Sequence, residues 1–169
     1  MSNEVAVVFT AKSIQRFLNE GGTSSWRLDR NHARRCPYVV CTRNANADWV
    51  EGPEDHQSAF LIGKIKDVVP APDYVGRFLI LFSEYAQVKI SDVWQGDRNP
   101  IKYTTLDALG IDPTTLSWQP MPEVEVLPAP IAPHMPYIAG EPLTITRAKA
   151  GLALTFGISP DMIEITIRG

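Results

Sequence analysis

The sequence predicts one α+β domain over residues 1–118, a proline-rich strap over 119–142 and a helix-strand tail over 143–169. Three observations point there. Short apolar, β-branched runs recur through the first 118 residues, and only brief helical patterns interrupt them. From Gln119 to Pro142 the composition then shifts: seven of the fourteen prolines fall in these 24 residues. Proline neither donates to a sheet ladder nor continues a helix, so this stretch is expected to be extended.

Each element has its own signal. Val5 to Thr10 is a continuous apolar run and predicts a buried strand. Ser13 is placed to cap a short helix over Ile14 to Asn19, since Ile14, Phe17 and Leu18 share one face, and Glu20-Gly21-Gly22 ends it. Trp26 to Arg35 is polar and is compatible with a second short helix or a loop. Tyr38 to Thr42 reads as a strand, and Asn44 to Gln57, without periodicity, as an acidic surface loop. Ala59 to Val69 and Arg77 to Val88 are strands. The connector between them, residues 70–76, is too short for a crossover helix, so they are expected to pair antiparallel. Val93 to Pro100 is irregular, and Thr105 to Leu109 forms one helical turn before Gly110.

In the tail, Thr144 is positioned to cap a helix ending at Phe156, with Gly157 at its C-terminal cap. Ile163, Ile165 and Ile167 then alternate with polar residues, the period of a half-buried strand. A rival reading takes Leu152 to Ile163 as the centre of a helix-turn-helix, but its second helix would be rich in β-branched residues.

Hydrophobic residues make up 44% and charged residues 21% of the 169, which fits a globular chain. The formal net charge of −3 gives no global attraction to nucleic acid. No apolar run approaches the roughly 20 residues of a membrane span, and the start of the chain lacks the basic-then-apolar order of a signal peptide. Two cysteines make no disulfide framework, so a cytoplasmic location is expected.

Four groups of residues invite a chemical role. Arg27, Arg30, Arg34, Arg35 and Arg43 surround a single acid, Asp29. Arginine's planar donor fork suits phosphate, although such runs also end as solvated surface. Trp26 lies in a polar setting and Tyr74 in a proline-flanked loop; each is a stacking face for a base, or, for Trp26, a packing residue with its indole N–H satisfied. His32, Cys36, Cys41 and His56 are zinc-binding types but lack two tightly spaced pairs, so no metal site and no cofactor is expected. Glu54-Asp55-His56 has the residue types for acid-base work, without a nucleophile motif or a phosphate-binding glycine loop.

Taken in order, these segments resemble the PUA-like superfamily, in particular its EVE and YTH branches. The strand that ends in Lys12-Ser13, the Trp26 that follows a short helix, the Gly76-Arg77-Phe78 opening of a strand and the Arg98-Asn99-Pro100-Ile101-Lys102 segment carry the similarity over about residues 5–118. The resemblance implies a small, strongly curved mixed sheet or barrel with peripheral helices. It also implies a non-enzymatic nucleic-acid binding domain that holds a base, modified or not, in an aromatic pocket. By position, Trp26 and Tyr74 match the cage walls, and Lys12 and Ser13 the strand end that lines the pocket. Arg27, Arg30, Arg34 and Arg35 would then face the phosphates of RNA or DNA. The tyrosine at 74 departs from the tryptophan usual in YTH domains, and the loop carrying it is shorter. Two other readings stand beside this one: a module that recruits a protein partner or a second copy through the strap and residues 143–169, and an enzyme acting on nucleobases through His56.

Overall fold

The computed structural model describes residues 3–126 and 144–166, in two compact units divided between Ala129 and Pro130. The first unit is built on one mixed sheet that curls into a half-barrel, with a few short helices. Its strands are β1 (Glu4–Thr10), β2 (Gly22–Trp26), β3 (Tyr38–Arg43), β4 (Ala59–Pro70), β5 (Phe78–Ile90), β6 (Ile101–Thr105) and β7 (Gln119–Pro120). The spatial order is β2-β5-β4-β3-β1-β6; β7 also pairs with β5, on the stretch beyond β2. Only β1 and β3 run parallel. The expected antiparallel pair is the long β4–β5 hairpin, and three register shifts along it bend the strands and supply curvature.

The uninterrupted apolar run of β1 follows from burial on both faces. Ala6 and Val8 point into one core with Phe17, Val39, Cys41 and Phe82; Val5 and Val7 point into a second with Val40, Trp94, Leu106 and Ile111. Helices α1 (Ile14–Glu20) and α2 (Arg30–Arg35) contribute Phe17 and Ala33 to the first core. The short α3 (Leu106–Leu109) and the residues after it close the second. Ser13 caps α1 as its sequence predicts, accepting from the Arg16 N–H at 3.1 Å, and Asp29 caps α2 through the His32 N–H at 3.0 Å.

Several elements differ from expectation. The polar stretch before Trp26 is a strand, β2, and Gly22 makes it possible. A Cβ at Gly22 would lie 1.9 Å from the Ile80 carbonyl oxygen, so only glycine lets β2 lie against β5 there. Residues 101–105 form β6, which closes the sheet beyond β1. The first unit also extends past Trp118. Gln119–Pro120 pair with Tyr85 and Glu84, the Met121 N–H donates to the Ser83 carbonyl at 3.1 Å, and the Met121 side chain packs on the core. The first part of the predicted strap is therefore an edge strand, tolerated because a proline at the rim of a sheet leaves no inner ladder bond unmade.

In the second unit, α4 (Ile145–Phe156) begins at the Thr144 cap and ends at Gly157 in the left-handed conformation, as the sequence predicts. A single 3-10 turn, Pro160–Met162, follows. Residues 163–166 alternate between half-buried and exposed but form no strand, and among the described residues none pairs with them; Ile167 lies outside the described residues. The helix-turn-helix alternative also has no second α-helix among the described residues. No helix among them is long and apolar enough to cross a membrane.

Candidate binding site at the β4–β5 loop

The residues singled out by sequence divide into those the fold consumes and those it leaves available. Lys12 belongs to the first group. Its side chain is nearly enclosed, and Nζ donates to both carboxylate oxygens of Glu20 (3.0 and 2.9 Å) and to Ser24 Oγ (2.9 Å). An ammonium has three protons to donate, and all three are spent. Ser13 uses its hydroxyl as the α1 cap and its N–H on Glu51, at 3.0 Å.

Trp26 corrects the expectation of an open cage wall. Only 8% of it is exposed, it packs in the first core, and its indole N–H donates to Thr23 Oγ1 at 3.1 Å. The polar neighbour three residues earlier is what permits burial, because the one polar atom of the ring is satisfied internally. Tyr74 is the opposite case: it is 58% exposed at the tip of the β4–β5 connector.

The arginines split as well. Arg43 is fully buried, with Nε and Nη2 on Glu54 at 2.9 and 2.6 Å, Nη1 on the Lys12 carbonyl at 2.7 Å, and its guanidinium 4.1 Å from the centroid of the Phe60 ring. It anchors the 44–57 loop and faces no ligand. Arg30 donates to the Val68 carbonyl (2.8 Å) and Arg34 pairs with Asp67 (2.9 Å), so both fasten α2 to β4. Arg27 and Arg35 are exposed. The phosphate-facing row that the resemblance implies is thus reduced to two open arginines.

A residue not singled out as a binding group joins them. Arg77, at the end of the β4–β5 connector, donates Nη1 to the Ser25 carbonyl (3.2 Å) and holds its guanidinium 4.8 Å from the centroid of the Tyr74 ring. Ser25 Oγ also hydrogen-bonds Asp73, and the Ser24–Ser25 peptide is cis. The connector is therefore clipped onto the end of β2, immediately before Trp26. Its sequence signal was the arginine of Gly76-Arg77-Phe78. Beneath the connector lies a cleft of about 210 Å³ lined by Asn19, Glu20, Ser24, Pro72, Asp73, Leu79 and residues 124–126.

The cleft carries both kinds of polar group: Lys12 already donates to Glu20 and Ser24, Asn19 offers an amide, and the carboxylates not bonded to Lys12 are those of Asp73 and Glu125. Positive charge sits outside it, on Arg77 and Arg27. A group bearing N–H donors suits the Asp73 and Glu125 carboxylates.

The remaining candidates have structural occupations. His56 Nδ1 accepts the Ala45 N–H at 3.1 Å, Nε2 lies 3.1 Å from the Asn46 side chain, and the ring packs edge-on against Phe9. Trp49, 57% exposed on the same loop, was not singled out by sequence. In that loop the Arg16 guanidinium holds the Glu51 carboxyl below the usual carboxylate range. Of the four zinc-type residues, His32 and Cys36 meet near Glu4, whereas Cys41 is buried in β3. No protein-family model, curated protein or solved structure matches the chain.

Proposed function

We propose that the first unit is a PUA-like nucleic-acid binding domain that grips a base at the β4–β5 connector rather than inside a two-walled aromatic cage. The observation that carries this reading is the exposed Tyr74 ring, backed by Arg77, in the connector whose Pro72 and Asp73 line a small polar cleft. A base stacks on the phenol, as bases do on exposed aromatic faces in single-strand binders. Its N–H edge turns toward Asp73, and its phosphates lie against Arg77 and Arg27. Acceptors in the cleft favour bases that present amino or imino hydrogens. The small cleft accommodates one base and no longer segment.

The reading is tested by fluorescence anisotropy with short labelled single strands of RNA and DNA. Tyr74→Ala is expected to weaken binding about fivefold to 150-fold, from a stacking contribution of ~1–3 kcal/mol. Affinity should fall with salt in proportion to the few phosphates neutralised. Parent-like binding by Tyr74→Ala, or no binding by the parent to any strand, would remove the reading.

A second reading applies to residues 144–166. Leu154 and Phe156, each 68% exposed, and Met162, 76% exposed, leave apolar surface that a protein partner or a second copy would cover. Sedimentation of the full chain against a chain lacking residues 143–169 tests self-association. Identical monomers in both cases remove the second-copy form of this idea.

A further inference from the structure

On the opposite side of α2 from the arginine contacts to β4, three metal-ligating side chains converge. Glu4 opens β1; His32 and Cys36 lie one helical turn apart, on α2 and at its C-terminal cap. The i,i+4 spacing places their side chains on one face of the helix. Donor atoms of the three residues all lie within 4.8 Å of one another, and His32 Nε2 is 3.0 Å from Glu4 Oε2. Tyr103, on β6 opposite Ala6, stacks its ring on the His32 imidazole at 3.8 Å between centroids. Its hydroxyl is enclosed without a hydrogen-bond partner among the described residues.

From these residues we infer a divalent transition-metal site of the zinc class, with Glu4 carboxylate, His32 imidazole and Cys36 thiolate as ligands. The donor set decides the class. Imidazole and thiolate select zinc-like ions over magnesium or calcium, which take oxygen ligands. Ligands around a tetrahedral zinc stand ~2.0–2.3 Å from the ion. Small side-chain rotations bring three donors already grouped this closely onto one centre. Glu4 and His32 keep 39% and 30% of their side chains exposed, which leaves an approach for the ion and a fourth position for water.

The alternative is a structural cluster, in which Glu4 and His32 form a simple pair and Cys36 Sγ donates to the His32 carbonyl (3.7 Å). The two differ in what happens to the thiol, because a bound metal replaces its proton. Cobalt(II) therefore separates them, since thiolate ligation gives a charge-transfer band that oxygen and nitrogen ligands do not.

The experiment titrates the reduced full-length chain with cobalt(II) and follows its absorbance. One equivalent is expected to produce the thiolate-to-cobalt band together with tetrahedral visible bands, and zinc(II) should then bleach both. Cys36→Ala should abolish the charge-transfer band and weaken cobalt binding at least tenfold, while His56→Gln leaves the spectrum unchanged. Circular dichroism establishes that the variants are folded. If Cys36→Ala is not folded, His32→Gln is the deciding variant, and loss of the tetrahedral bands is expected. A parent spectrum without the thiolate band at stoichiometric cobalt overturns the inference, as does a band that survives Cys36→Ala or, where that variant is unfolded, tetrahedral bands that survive His32→Gln. This inference stands apart from the nucleic-acid reading: neither outcome depends on Tyr74 or on the cleft.

Discussion

At the scale of single residues, polar and aromatic side chains change meaning with burial. Trp26 sits among serines and a threonine, which suggested exposure, yet Thr23 satisfies its indole and the ring joins the core. Trp26→Ala should therefore cost about 3–5 kcal/mol of stability, as large aromatic truncations do in cores, read from urea unfolding. Arg43 ends an apolar strand and read as part of a surface cluster. Its partner, Glu54, lies across an aperiodic loop, so sequence spacing gave no hint of the pair. Glu54→Gln leaves the buried guanidinium short of a counter-charge and should destabilise by about 2–3 kcal/mol. Glu51 carries a pH signature. Its carboxyl titrates below its ordinary value because Arg16 donates to it, so its contribution is present above the unfolded value near ~4.3 and lost as pH falls through the folded one. Glu51→Gln should flatten the acid arm of the stability profile, seen as a smaller drop in urea midpoint from pH 5 toward pH 3.

At the scale of elements, legibility followed the apolar pattern. β1, β3, β4 and β5 carry enough β-branched and aromatic residues to announce themselves, and the caps at Ser13 and Thr144 mark their helices. β2 has a glycine and three small polar residues before its tryptophan, so nothing in its period speaks for a strand; only its closeness to β5 does. Gly22→Ala forces the two strands apart and should cost at least about 3 kcal/mol, the upper end for overpacking, since the obstacle is a backbone carbonyl that cannot rotate away. β7 is two residues long and half proline, and it hid inside the composition of the strap. Tyr85 donates its hydroxyl to Gln119 Oε1 at 3.0 Å across that edge. A chain ended at Trp118 should accordingly unfold at lower urea than one ended at Ala129, and equal midpoints would mean that β7 adds nothing.

At the scale of the whole molecule, the proposed function rests on the turn of the long hairpin. The curled sheet buries both faces of its central strands and holds its two buried cations, Lys12 and Arg43, in internal pairs with Glu20 and Glu54. What it leaves open is a short connector with an exposed phenol, a guanidinium behind it and an acidic cleft below. Sequence order placed Tyr74 in that loop, but the second wall required knowing that Trp26 is spent on the core. The most direct measurement is a set of backbone amide chemical-shift changes in the isotope-labelled full chain on adding a short single strand. The account predicts shifts centred on residues 72–77 and spreading to Ser24, Ser25 and Arg27, with the amides around His32 and Cys36 unmoved. Shifts confined to residues 144–166, or none at saturating strand, would contradict it.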